Sequence, residues 1–74
     1  MQLTAMEAKL LRYLVEHEGR IVSRKAILED VWDITYAGET RTVDVHVRWL
    51  REKLEDDPAL PKHIQTVRGF GYRF

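Results

Sequence analysis

The sequence has no cysteine and no long apolar run, and these two absences exclude several classes of protein. Without cysteine there are no disulfide bonds, thiolate zinc sites or thiol catalysis, which is consistent with a reducing cytoplasm. No apolar stretch approaches the ~20 residues needed to cross a bilayer. The first residues lack a basic segment followed by an apolar one, so a signal peptide is not indicated. We therefore expect a cytoplasmic protein with no membrane partner.

The chain also lacks an excess of charge of either sign, because 12 basic residues balance 12 acidic ones. Proteins that coat nucleic acid regardless of its sequence are usually strongly basic, so this balance argues against that class of protein. The charge is nevertheless unevenly distributed, since residues 62–74 contain Lys62, Arg68 and Arg73 and no acid. A neutral protein can therefore carry a locally positive surface.

Helical periodicity begins early in the chain, which at 74 residues is long enough for one small domain. A first helix is predicted over about residues 4–18, because Thr4 and Glu7 have capping-box spacing and Gly19 is a natural stop. Its apolar positions at helical spacing are Ala8, Leu11, Leu14 and Val15. Ile21 and the residue after it read as a short extended link.

Two further helices are predicted, separated by a loop. Ser23 is a good N-cap for a second helix over about residues 24–32. Residues 33–39 read as a loop, and Thr40 is the expected cap of a third helix over about residues 41–54. The apolar positions are Ile27, Leu28, Val31 and Trp32 in the second helix, and Val43, Val47, Leu50 and Leu54 in the third.

A C-terminal β-hairpin is predicted over residues 64–74, with a glycine-rich turn that carries Arg68. Phe70, Tyr72 and Phe74 alternate, so we expect them to share one face and to pack on the helices. The predicted fold class is mainly α with a C-terminal β-hairpin. This order of elements is that of a winged helix-turn-helix, with three helices and one wing.

The third helix has an unusual outer face. At about 100° per residue, this face carries Arg41, Val45, Arg48 and Glu52, with Asp44 and Arg51 at one edge and Trp49 toward the other. Arginine binds phosphates and guanine edges with a bidentate fork, and a valine can contact a thymine methyl group. A solvated helix face with one exposed indole is an equally open interpretation. The hairpin favours DNA binding, because a lone arginine at a glycine-rich tip can enter a minor groove.

Taken together, these motifs resemble the OmpR/PhoB family of bacterial response-regulator effector domains. The matching residues are Leu3-Thr4, Glu7, Leu10-Leu11, Ser23-Arg24, Val31-Trp32, residues 41–47, Leu50-Arg51 and residues 65–74. The match covers nearly the whole chain in order and spacing. The resemblance implies a sequence-specific transcription regulator that binds direct repeats in double-stranded DNA as a head-to-tail dimer. It also implies a receiver domain in the full-length protein.

The resemblance further implies roles for individual residues. The phosphate-contacting positions would be Trp32, Arg41, His46, Arg48, Arg51, Thr66 and Tyr72. Asp44 and Val45 would lie near bases, and Arg68 would enter the minor groove. Several relatives carry arginine where this sequence has Trp49, so this position reads DNA by apolar contact or not at all. Residues 33–39 would correspond to the loop with which relatives contact RNA polymerase.

One part of the family's domain is expected to be absent. The domain begins with an antiparallel sheet that packs on the first helix, and we expect the present sequence to start after it. Apolar surface on the first helix and the hairpin would then lose its cover. This expectation predicts lower stability than that of the complete domain, and self-association through the same surface.

Two competing interpretations are an enzyme and a winged helix used purely as a protein-interaction or dimerisation module. The three histidines are scattered, and no nucleophile has a companion base. Asp44 and His46 point to different sides of a helix, so we expect no catalysis, metal or cofactor. A protein-binding domain would use Trp32 and Trp49 as anchors. Salt-dependent binding to duplex DNA would distinguish this alternative from the favoured interpretation.

Overall fold

The computed structural model of the chain describes residues 2–34 and 39–74. The helices are α1 (Ala5–Glu16), α2 (Arg24–Trp32) and α3 (Thr40–Leu54), and the strands are β1 (Val22–Ser23), β2 (Gln65–Val67) and β3 (Gly71–Arg73). The predicted class of three helices with a C-terminal hairpin is confirmed. Within the described ranges no helix could span a bilayer, because none combines the necessary length with enough hydrophobicity.

The first helix is shorter than predicted and buries a different stripe. Its predicted capping box is confirmed, since the Thr4 hydroxyl accepts the Glu7 N–H at 3.1 Å and the Glu7 carboxylate accepts the Thr4 N–H at 2.8 Å. The helix stops at Glu16, and Gly19 follows with a positive φ of 83°. Placing Ala8 and Val15 on the buried side was wrong, because both are exposed. The buried positions of α1 are Glu7, Leu10 and Leu14.

The buried stripe of α1 includes one acidic residue, Glu7, which has partners for its charge. The side chain of Glu7 is only 2% exposed, and its carboxylate pairs with the Lys53 ammonium of α3 at 2.5 Å. The hydrogen bonds from Lys53 and from the Thr4 N–H hold the pKa of Glu7 below its ordinary value. One carboxylate thus both caps α1 and connects it to the last turn of α3.

The second helix has the predicted bounds, and the start of the third differs by one residue. The Ser23 hydroxyl caps α2 by accepting the N–H of Ala26 at 3.0 Å. Asp33 ends α2 in the left-handed conformation, with φ at 59°. Thr40 is the first residue of α3 and not its cap, and Glu39 occupies the cap position without a side-chain bond. Most of the predicted loop, residues 35–38, lies outside the described residues.

The predicted hairpin is part of a larger sheet. β3 is the central strand of an antiparallel sheet ordered β1-β3-β2, and Tyr72 faces both Val22 and Thr66. The extended conformation predicted before α2 is confirmed at Val22, whereas its pairing with β3 was not predicted. Gly71 permits this pairing, since a Cβ at that position would lie 2.0 Å from the carbonyl oxygen of Val22.

One apolar core joins the helices to the sheet. Its buried members are Leu10, Leu14, Val22, Ile27, Leu28, Val31, Val43, Val47, Leu50, Ile64 and Tyr72. Phe74 packs against this core from its edge. The expectation that Phe70 also packs there was wrong, because its side chain is 70% exposed. Phe70 belongs to the turn before β3, so the alternation within that strand does not extend to it.

A second buried carboxylate, that of Glu55, holds the segment between α3 and β2. It accepts the backbone N–H groups of Lys62 at 2.9 Å, His63 at 2.9 Å and Ile64 at 2.8 Å. The His63 Nδ1 lies 3.0 Å from the same carboxylate. Burial favours a higher pKa for Glu55, but these donors outweigh it and lower the pKa to about 2. This carboxylate sets where β2 begins relative to the end of α3.

Candidate nucleic-acid interface

The outer face of α3 carries exposed arginines, as predicted. Arg41 and Arg48 are exposed, and Val45 between them is half-buried. None of the ion pairs within residues 2–34 and 39–74 includes Arg41, Arg48 or Arg68. Val43, Val47 and Leu50 fill the core from the opposite side of the helix. The helix therefore presents unneutralised cations on the side that faces away from the protein.

A groove of about 390 Å³ separates the hairpin from the helices, and we call it the wing groove. Its lining residues are Arg24 from α2, Asp44 from α3, and Thr66 to Tyr72 from the hairpin. It brings together the start of α2, one edge of α3 and the tip of the wing. The predicted site residues Asp44, Thr66, Arg68 and Tyr72 all line it.

Asp44 is the centre of the polar contacts in the wing groove. Its Oδ1 accepts a hydrogen bond from the Arg24 Nε at 3.0 Å and another from the Tyr72 hydroxyl at 2.7 Å, and its Oδ2 pairs with the Arg24 Nη2. Burial and the hydrogen bond to Asp44 raise the pKa of Tyr72 to about 12, so the phenol stays neutral and donates. The carboxylate is therefore neutralised within the protein and joins α2, α3 and β3.

Arg51 connects the same helix to β2. Its guanidinium donates to the Ile64 carbonyl oxygen at 3.0 Å from Nε and 2.8 Å from Nη2, and to the Thr66 hydroxyl at 2.7 Å. The guanidinium carbon also lies 5.6 Å from the centroid of the Tyr72 ring. Arg51 and Thr66 were both predicted as phosphate contacts, and the structure brings them into direct contact.

Three aromatic rings form a cluster between the end of α2 and α3. The His46 ring lies 4.9 Å from Trp32 and 5.0 Å from Trp49, measured between centroids. The His46 Nδ1 also bonds the Thr42 carbonyl oxygen at 2.8 Å, which fixes the ring. Trp49 is 44% exposed, so this cluster ends at the protein surface. The structure thus gathers three of the predicted site residues into one aromatic group.

Sequence reasoning missed two residues of the wing groove. Arg24 was noted only within a family motif, and its pairing with Asp44 joins positions 20 apart in the chain. No local pattern marks such a contact, although a cation in the first turn of a helix is an unusual choice and was a usable signal. Phe70 was assigned to the core, and only the observed turn places it in the groove.

Comparison with known proteins gives related sequences over the full length of the chain. Residues 1–74 match the family described as "Transcriptional regulatory protein, C terminal". A probable transcriptional regulatory protein of Picosynechococcus sp. is 50% identical over 74 residues, which cover 100% of this chain and 30% of that protein. The alkaline phosphatase synthesis transcriptional regulatory protein SphR of Synechococcus elongatus is 47% identical over 73 residues, or 99% of this chain and 28% of that protein. The chain spans less than a third of either relative.

Solved structures agree with the sequence comparison. The Klebsiella pneumoniae RstA DNA-binding domain, solved in complex with the RstA box, is 40% identical with a TM-score of 0.90, over 99% of this chain and 72% of that one. The response regulator DrrB, described as a Thermotoga maritima OmpR/PhoB homolog, is 36% identical with a TM-score of 0.88, over 99% of this chain and 33% of that one. The chain therefore belongs to the C-terminal domain family of transcriptional regulatory proteins of the OmpR/PhoB type.

Proposed function

We propose that the chain binds duplex DNA sequence-specifically, as the effector part of a two-component response regulator that controls transcription. The observation that carries this proposal is the adjacency of α3 and the wing tip across one groove, with unneutralised arginines on both. At 15 residues α3 is about 22 Å long, which suits a major groove about 12 Å wide. The likeness to RstA, whose DNA-binding domain was solved with its box, supports the proposal.

The contacts observed inside the protein refine the proposed roles. Arg41 and Arg48 contact phosphates directly, and Arg68 enters the minor groove. Val45 and Trp49 face the bases in the major groove, and Asp44 lies near them while holding Arg24. The remaining phosphate contacts come from side chains already fixed by neighbours, namely Trp32, His46, Arg51, Thr66 and Tyr72. Their fixed geometry lowers the entropy that is lost on binding.

Salt dependence of binding tests this proposal, with duplexes selected from a random pool. The logarithm of the affinity should fall linearly with that of the salt concentration, by about 0.9 per phosphate contact. Arg48→Ala should reduce the slope by about 0.9 and weaken binding to every sequence alike. The matched control is Arg12→Ala on α1, whose side chain is 81% exposed and pairs only with Glu16 in the described ranges. This control should leave affinity and slope unchanged.

If the unmodified protein fails to bind any duplex at low salt, DNA binding is excluded. The alternative of a winged helix that binds another protein would then be favoured. In that case Trp32 and Trp49 would be the residues to replace first, since exposed aromatic side chains dominate protein interfaces.

The family resemblance also supports proposals about the whole regulator. We propose that two copies bind direct repeats head to tail, that residues 33–39 contact RNA polymerase, and that a receiver domain controls both in the cytoplasm. Analytical ultracentrifugation on a duplex with two half-sites tests the first of these. Two copies should bind per duplex. When one of the two half-sites is inverted, only one copy should bind.

A further inference from the structure

The tip of the wing carries an exposed aromatic side chain that lies outside the apolar core. Phe70 is 70% exposed, whereas Tyr72 two residues later is 7% exposed and belongs to the core. The turn is held by its backbone, because the Phe70 N–H donates to the Val67 carbonyl oxygen at 3.0 Å and Gly69 has a φ of 80°. The phenyl ring is therefore presented to solvent by a turn that does not depend on it.

The surroundings of the ring indicate what it contacts. Phe70 lines the wing groove together with Arg24, Asp44 and Arg68. The carboxylate of Asp44 is neutralised by Arg24, so the charge remaining at the mouth of the groove is that of Arg68. An apolar ring beside an arginine complements a polymer in which apolar sugar faces alternate with phosphates. Minor-groove proteins combine arginine with apolar side chains in this way.

Resting on the proposed DNA binding, we propose that Phe70 is an additional DNA-contacting residue. Its ring packs on the deoxyribose walls of the minor groove, beside the position that Arg68 occupies. Arg68 supplies the electrostatic attraction at the wing tip, and Phe70 supplies apolar contact that does not depend on salt. The wing therefore contributes to affinity through two independent terms.

Replacement of the Phe70 ring distinguishes the apolar contribution to affinity from the electrostatic one. Phe70→Ala should weaken binding to a selected duplex about tenfold, as expected for the loss of roughly 60 Å² of buried apolar surface. The slope of affinity against salt should stay unchanged, because no phosphate contact is lost. Phe70→Leu should keep most of the affinity, since it remains apolar. The matched control is Leu60→Ala, which removes another strongly exposed apolar side chain, 72% exposed, from outside the wing groove.

The measurement is fluorescence anisotropy of the labelled duplex at several salt concentrations, with a thermal melt of each variant. Equal affinity for Phe70→Ala and the unmodified protein would overturn the role of Phe70 and leave the proposed function intact. A loss shared by Leu60→Ala, or accompanied by a lower melting temperature, would also overturn it as a folding effect. Failure of the unmodified protein to bind would overturn both proposals. Unchanged DNA binding with altered self-association would assign Phe70 to a protein contact instead.

Discussion

Single acidic side chains connect separate elements of this molecule. Glu7 joins α1 to the end of α3, Asp44 joins α3 to α2 and β3, and Glu55 joins the end of α3 to the segment before β2. Each accepts hydrogen bonds from cations or backbone N–H groups, which offset its negative charge. A chain with equal numbers of acidic and basic residues can therefore expose mainly arginine where α3 meets the wing.

The buried carboxylate of Glu55 predicts a defined response to acid. Its pKa is about 2 in the folded protein and near 4.5 ordinarily, so its stabilising effect is complete above pH 4.5 and disappears as the pH falls toward 2. Glu55→Gln removes the charge that three N–H groups share, and should cost about 2 kcal/mol at pH 7. Urea unfolding at pH 7, 4 and 2.5 measures this difference, which should shrink at each step. A difference that stays constant with pH would contradict the assigned role.

Among the elements, the sheet depends on the close approach of two short strands. β1 has two residues and, among the strands of the described residues, pairs only with β3, so its pairing contributes few hydrogen bonds. Gly71 is a position of close backbone approach, since an added Cβ would meet the carbonyl of Val22 and the Cα of Ser23. The pairing of the wing with β1 therefore depends on the absence of a side chain at position 71.

Two glycines of the wing provide a matched test of this contact. Gly71→Ala should destabilise the fold by about 3 kcal/mol, because the new methyl group collides with backbone that cannot yield without separating the strands. Gly69→Ala introduces strain from its positive φ of 80° but meets no atom within 4 Å, so about 1 kcal/mol is expected. Chemical denaturation of both variants gives the comparison. Equal losses would show that the collision at Gly71 is relieved by movement elsewhere.

The elements that the sequence predicted are those defined by local signals. α2 has its predicted bounds because Ser23 caps it and its apolar side repeats at helical spacing. β1 was missed because two residues form no pattern, and the partner of Val22 lies about 50 positions later. Contacts between distant positions also limited what could be predicted of the candidate nucleic-acid interface. Exposed residues of α3 followed from helical geometry, whereas the pairing of Arg24 with Asp44 and the exposure of Phe70 depend on contacts between elements.

For the molecule as a whole, size sets a narrow margin of stability. The Cα radius of gyration is 11.3 Å, and among residues 2–34 and 39–74 one core of eleven buried apolar or aromatic residues supports the helices and the sheet. Domains of this size bury a smaller fraction of their surface than larger ones, so their net stability is modest. Any ligand that binds only the folded form should therefore raise the melting temperature strongly.

Specific duplex DNA should act as such a ligand. At a duplex concentration about 100 times the dissociation constant, binding adds about 2.7 kcal/mol to stability. For a domain of this size, that should raise the melting temperature by roughly 10 °C or more. Circular dichroism at 222 nm, with and without duplex, follows the transition of the helices. An unchanged melting temperature at saturating duplex would contradict the proposed mode of binding.

The central position of β3 also orders the events of folding. The turn between β2 and β3 joins residues that are near in sequence, but β1 pairs with a strand about 50 positions later. Closing a loop of this length costs more conformational entropy than forming the hairpin does. On a ribosome, the three helices would leave the exit tunnel before their sheet could be completed. We therefore expect the pairing of Val22 with Tyr72 to be the last step, which docks a preformed wing onto the helices.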